Sequence, residues 1–137
     1  MGQYLNPGKD SYEEAVNSQI YVDKSEMIAF LNTVVKTKQK YVSVSRPRRF
    51  GKTMAADMIC AYYDREADSR KLFEQLQLSK IDADTSSQAW DVYQGKFDVI
   101  RIVMTDFFDS ETPFDKALDT MQGLICRDIK KKYPDVD

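Results

Sequence analysis

Apolar positions recur along most of the chain at helical spacing, and in two places they follow the pattern of a strand instead. A recurrence of about 3.6 residues is typical of a helix with one buried face. The predicted helices lie at residues 11–18, 25–38, 54–63, 68–76, 90–95 and 113–132. Short runs rich in β-branched and aromatic residues predict strands at 41–44 and 97–104.

Polar residues at the helix starts predict how the helices are capped. Ser11, with a glutamate three residues later, forms a capping-box pattern at the start of the first helix. Either Asp23 or Ser25 would cap the second helix. Thr112 followed by Pro113 predicts the start of the last helix, because proline is favoured at a first helical position.

The order of these elements predicts the fold class. Strands that alternate with helices indicate an α/β fold, here a partial P-loop NTPase fold with a parallel-sheet core flanked by helices. We interpret residues 1–137 as a single domain. Residues 1–38 would form an N-terminal helical extension, and residues 39–137 a P-loop core of strands and helices.

The composition limits the kinds of catalytic and metal-binding sites that the chain can form. The 137 residues include no histidine, which excludes Ser-His and Cys-His catalysis and histidine metal sites. The sequence does not exclude a disulfide between Cys60 and Cys126, but we expect both to be buried free thiols in a reducing compartment. No run approaches the roughly 18 apolar residues of a membrane span, so we expect a cytoplasmic protein without a membrane partner.

One loop carries candidate chemistry. Gly51, Lys52 and Thr53 match the second half of the phosphate-binding pattern G-x-x-x-x-G-K-[ST], but Arg46 stands where the first glycine belongs. Backbone N–H groups at a helix start can bind phosphate, while a lysine reaches the terminal phosphates and a threonine hydroxyl reaches Mg²⁺. The candidate binding residues are Arg46, Arg48, Arg49, Phe50, Gly51, Lys52 and Thr53. From these residues alone, a nucleotide site and a chance match both stay open.

Longer strings in the chain resemble a known family. Residues 21–25 read YVDKS and residues 45–53 read SRPRRFGKT, and both are similar to strings of the bacterial AAA-ATPase-like family. The NPG at 6–8, the LFE at 72–74 and the apolar run at 97–104 fall where similar family segments fall. The resemblance covers nearly the whole chain. Many members of that family continue into a nuclease-like C-terminal domain.

The resemblance implies a function and accounts for the missing glycine. Pro47 has a fixed φ and restricts Arg46, so a stiff approach to the loop could replace glycine's freedom. We expect binding of ATP with Mg²⁺, the metal held by Thr53 and the nucleotide. The chain would be the N-terminal part of an ATPase, because the family's acidic strand, similar to LIDEYD, would follow the last helix. Alone it should hydrolyse ATP weakly or not at all.

Three alternatives accompany this interpretation. The chain could be a nucleotide-independent interaction module that forms homo-oligomers and carries a degenerate loop. Direct nucleic-acid binding through the arginines is not expected, because the net charge is −2. The apolar run that ends at Asp106 has the shape of a metal-binding acidic strand, but we interpret it as a second sheet strand before a polar turn.

Other residues have structural interpretations beside functional ones. Asp23 and Lys24 would brace the loop or the nucleotide, or Asp23 would simply cap a helix. Trp90 and Tyr93 are expected to pack rather than to stack on a base. Tyr62 and Tyr63 are placed at the edge of the core, and the lysines at 130–132 complement a helix dipole.

Overall fold

The structure is a computed structural model that describes residues 2–47, 49, 51–81 and 89–137. These residues form five α-helices and two short 3₁₀ helices. The α-helices are α1 Asp10–Val16, α2 Glu26–Val34, α3 Lys52–Tyr63, α4 Arg70–Glu74 and α5 Phe114–Lys132. The 3₁₀ helices span Gln77–Lys80 and Met104–Asp106. Each of these α-helices overlaps a predicted one, whereas residues 90–95 form a turn rather than the predicted helix.

The predicted caps are mostly wrong, because two helices begin at other residues than predicted and a tertiary contact occupies the third capping side chain. Helix α1 begins after Lys9, so Ser11 lies within the first turn instead of capping it. Ser25 does precede α2, but its hydroxyl accepts the Leu78 amide at 3.0 Å rather than an amide of its own helix. Helix α5 begins one residue later than predicted, with Pro113 as its N-cap.

Helix α3 lies at the centre of the hydrophobic core. It packs against α1, and the C-terminal half of α3 contributes four of the nine buried core residues, more than any other helix. The ring of Phe73 from α4 stacks on Tyr12 at a centroid distance of 5.4 Å and meets Tyr62 edge-on at 5.4 Å. The buried core cluster comprises Tyr12, Ile28, Met58, Ala61, Tyr62, Tyr63, Phe73, Leu76 and Leu78. Trp90 and Tyr93 pack against this cluster, which confirms their predicted packing role.

Tyr62 and Tyr63 are central to the core and not at its edge, so that prediction is wrong. Both rings are buried because Asn32 of α2 satisfies their hydroxyls. The Asn32 amide donates to the Tyr62 hydroxyl at 2.9 Å and its carbonyl oxygen accepts from Tyr63 at 2.7 Å. Tyr62 in turn donates to the backbone oxygen of Trp90 at 2.7 Å. A buried asparagine is stable here since each polar atom has a partner.

The predicted parallel-sheet core is wrong. Within the described part of the chain there is no strand and no sheet, only two isolated β-bridges. Residues 41–44 have no regular secondary structure and no ladder partner among the described residues, and Tyr41 is 86% exposed. A run of β-branched residues favours an extended backbone, but a sheet requires neighbouring strands to supply hydrogen bonds. Such neighbours cannot be read from a local pattern.

Residues 97–104 are the second predicted strand, and they form two single bridges instead. Phe97 pairs in parallel with Asp64, and Ile100 pairs antiparallel with Leu5. The segment therefore changes partner after three residues and cannot extend either ladder. Its end turns into the 3₁₀ helix Met104–Asp106, and Met104 is exposed. Asp106 is consequently not at the end of a strand.

The cysteines are free, as expected, but only one is buried. Burial raises the pKa of the Cys60 thiol to about 11, so the thiol stays protonated and unreactive at neutral pH. Cys126 is exposed on α5, contrary to the prediction. Separately, none of the helices in the described ranges has the length and apolar composition needed to cross a bilayer.

Asp98 ties the end of α5 to the rest of the structure. Its carboxylate accepts hydrogen bonds from Asn6 at 2.9 Å, Lys132 at 2.8 Å and Tyr133 at 2.8 Å. Lys132 also contacts Glu66 at 2.5 Å. The lysine at the end of α5 therefore makes specific ion pairs in addition to its favourable position in the helix dipole.

Acid should weaken this junction. Burial alone would raise the pKa of Asp98, but the bonds from Lys132, Asn6 and Tyr133 outweigh it and lower the pKa to about 2. A lowered pKa means that the folded state prefers the carboxylate, so the contribution is complete above the ordinary pKa near 4 and disappears toward pH 2. We expect about 1–2 kcal/mol of the unfolding free energy to be lost in this window, allowing for screening of a partly exposed group.

Urea unfolding of the chain and of Asp98→Asn between pH 5 and pH 2 measures this loss. Other carboxylates with lowered pKa, among them Asp128, contribute in the same direction and remain in both proteins. The difference between the two pH profiles therefore isolates Asp98. Parallel profiles would show that Asp98 does not couple protonation to folding.

Candidate phosphate-binding site

The candidate site is the loop that leads into α3. Gly51 is the N-cap of this helix and has φ +82°, a left-handed conformation that glycine adopts without strain. Arg49 is also left-handed, with φ +67°, which is uncommon for a residue with a side chain. Such backbone conformations cluster at ligand-binding loops, where the surrounding structure maintains them.

The start of α3 presents free hydrogen-bond donors. Among the described residues, the first hydrogen bond of the helix joins the Ala55 amide to the Gly51 carbonyl at 2.9 Å. The amides of Lys52 and Thr53 precede that bond, where a helix has no acceptor of its own. No acceptor for these two amides is found among the residues that the structure describes. The helix start therefore has donors for an external anion.

The charge at this helix start is opposite to the usual preference. Helix dipoles favour acidic side chains in the first turn, but the first turn of α3 has none and instead begins with Lys52. Arg49 lies in the preceding loop. Positive side chains next to the positive end of a dipole do not stabilise the isolated helix, so this arrangement suits a bound anion.

A cleft of about 600 Å³ opens beside the loop. Its size lies within the range of roughly 300–1,000 Å³ that is common for small-molecule sites. It is lined by Ala15, Arg49, Gly51, Lys52, Thr53, Met54 and Asp57. Four of the predicted binding residues are thus together at one cleft, and Ala15 of α1 forms part of its wall.

Asp57 is a site residue that sequence reasoning missed. It lies one helical turn after Thr53, and an i,i+4 spacing could have placed it on the same face of α3. Its carboxylate is paired with the guanidinium of Arg101, and both side chains are partly buried. The positive charge of Arg101 compensates the negative charge of Asp57, so Asp57 does not repel an anion in the cleft.

The remaining predicted residues have different outcomes. Arg46 is exposed and does not line the cleft. Arg48 and Phe50 lie outside the described residues. Asp106 is exposed and is not part of the cleft wall, so within the described ranges it is not placed to hold a metal there.

The residues present fit a nucleoside triphosphate with magnesium. The amides and Lys52 suit the phosphates, and Thr53 offers one hydroxyl oxygen for the metal. In the described part of the chain, no group of three or more acidic or cysteine side chains could hold a metal ion by itself. Mg²⁺ usually binds through one or two protein oxygens together with phosphates and water, so the donor set is compatible with a metal carried in by the nucleotide.

Comparison with known proteins supports the family. A family model described as "AAA-ATPase_like: Predicted AAA-ATPase" matches residues 8–136. Comparison with curated proteins and with solved structures gives no match. The match includes the loop, the cleft and all five α-helices. The chain therefore belongs to the predicted AAA-ATPase family.

Proposed function

We propose that the chain binds MgATP at the start of α3. One observation carries the proposal: the first turn of α3 joins a left-handed Gly51, Lys52 and Thr53 beside a cleft, with no acidic residue in that turn. An anionic ligand would accept hydrogen bonds from the amides and would pair with the lysine. The protein fold alone does not require this combination of amides and lysine. The predicted AAA-ATPase family makes a nucleotide the expected anion.

Each residue has a defined role in this proposal. The amides of Gly51, Lys52 and Thr53 bind the phosphate oxygens, and Lys52 neutralises the terminal phosphates. The Thr53 hydroxyl contacts the magnesium ion. Arg49 lines the cleft and adds positive charge at its rim. Arg46 and Arg48 would contribute longer-range attraction for the phosphates.

We also propose that the chain alone hydrolyses ATP weakly. Among the described residues that line the cleft, Asp57 is the one acidic side chain, and Arg101 pairs with it. A paired carboxylate is poorly suited to hold a metal or to position water. The same proposal includes a bacterial ATPase in which a nuclease-like domain follows. Only the resemblance to the family supports this part.

Calorimetric titration with MgATP, MgADP and AMP tests the binding. A phosphate site predicts that affinity falls as phosphates are removed, because each lost phosphate removes contacts with Lys52 and the helix start. AMP should bind at least about tenfold more weakly than MgATP. Absence of MgATP binding, or equal affinity for the three nucleotides, would reject the proposal.

Self-association is the second candidate, and exposed apolar side chains favour it. Ile20, Tyr41 and Val44 are 88%, 86% and 47% exposed, and burial of such side chains against a partner would be favourable. A second copy of the chain could cover them. Light scattering with and without MgATP separates the candidates: concentration-dependent oligomers, in a protein that binds no nucleotide, would favour a nucleotide-independent assembly module.

A further inference from the structure

Hydrogen bonds hold both ends of the turn formed by Asp23, Lys24 and Ser25. The Asp23 carboxylate accepts the Ser25 amide at 2.8 Å and the Gln77 amide at 2.7 Å. Ser25 is fully buried, and its hydroxyl accepts the Leu78 amide at 3.0 Å. Both flanking residues therefore anchor the turn to the 3₁₀ helix Gln77–Lys80. The lysine between them is exposed.

The anchored turn places Lys24 against the phosphate loop. A Cβ atom added to Gly51 would lie 3.0 Å from the Lys24 ammonium nitrogen. The Lys24 ammonium therefore lies next to Gly51. The left-handed φ favours glycine at position 51, whereas the Lys24 ammonium is the end of a flexible side chain and can move aside for a larger residue.

We propose that Lys24 is a positioning residue of the phosphate site, whose ammonium lies next to Gly51 and adds a second positive charge to that of Lys52 for orienting the phosphates. The proposal rests on the proposed nucleotide binding. It gives one reason for the three polar residues of the turn: Asp23 and Ser25 fix the main chain, and Lys24 reaches the loop. Helix capping alone would not require a lysine between them.

The charge of Lys24 matters because its site is already positive. Lys24 and Lys52 both carry a positive charge, so a polyphosphate would attract both. The benefit should therefore grow with the number of phosphates on the ligand. A purely structural lysine would instead change folding stability and would affect all nucleotides equally.

Titration of MgATP and AMP into Lys24→Met, Lys24→Arg and Lys52→Ala tests the proposal. We expect Lys24→Met to weaken MgATP binding about tenfold, the size expected for one charge-assisted contact, and to change AMP binding much less. Lys24→Arg should retain most of the affinity, because it retains the charge. Lys116→Met on α5 removes an exposed lysine that does not line the cleft and serves as the matched control.

The outcomes separate this inference from the proposed function. If Lys52→Ala loses affinity while Lys24→Met binds MgATP like the parent, Lys24 has no positioning role and the phosphate site stands. Equal losses for MgATP and AMP in Lys24→Met, or a lower melting temperature without a phosphate-dependent loss, would also overturn the inference. If the parent chain binds no MgATP, the proposed function fails and this inference with it.

Discussion

Lys52→Ala is expected to weaken MgATP binding by roughly thirty- to a hundredfold, or about 2–3 kcal/mol. Lys52 is the first residue of α3 and is exposed beside the cleft, where its ammonium can reach the terminal phosphates. Charge-assisted hydrogen bonds to phosphate are stronger than neutral ones, so losing them is costly. Isothermal titration calorimetry on the purified chain measures the change.

The same substitution should not damage the fold. Alanine is the best helix former, and removal of a positive charge from a helix N-terminus is neutral or favourable for the helix. The melting temperature of Lys52→Ala should therefore equal or exceed that of the parent. Lys116→Ala, at an exposed position of α5, is the control for loss of a lysine in general. Equal MgATP affinity in Lys52→Ala and the parent would contradict the role of Lys52.

Phe73→Ala is expected to lower the unfolding free energy by about 3–5 kcal/mol. The ring is completely buried and contacts both Tyr12 and Tyr62, so it joins α1, α3 and α4 in a single core. Its removal leaves a cavity that two tyrosines, whose hydroxyls are already bonded, cannot easily fill. Urea unfolding followed by circular dichroism measures the loss.

Phe30→Ala provides the matched comparison. Phe30 lies on α2 and is 57% exposed, so the same chemical change there removes little buried area. We expect a change within about 0.5 kcal/mol, as is usual for surface positions. Similar losses at Phe73 and Phe30 would mean that the described core is not the one that stabilises the protein.

The helices could be predicted because their signal is local. Periodic apolar residues such as Met58, Tyr62 and Ile129 mark one face of a helix wherever it packs. The loop was predictable for a similar reason, since Gly51, Lys52 and Thr53 are contiguous and their chemistry depends on a helix that directly follows them. The structure brings these three residues and Arg49 to one cleft.

The remaining features depend on contacts between distant residues. The segment at 41–44 has the composition of a strand, but strand pairing depends on a neighbour that no local pattern specifies. The cap at Ser25 failed because Leu78, far along the chain, takes its hydroxyl. The i,i+4 spacing from Thr53 could have placed Asp57 at the cleft, but its ion pair with Arg101 joins two distant segments. Such contacts between distant residues can be identified only in the folded chain.

An amide NMR titration tests the central claim most directly. In a ¹H–¹⁵N spectrum, MgATP should shift the signals of Gly51, Lys52 and Thr53 first and most strongly, because their N–H groups bind the phosphates. Signals from α5, such as that of Leu124, should stay in place. Unchanged signals at the start of α3 under saturating MgATP, or shifts confined to another surface, would contradict the account.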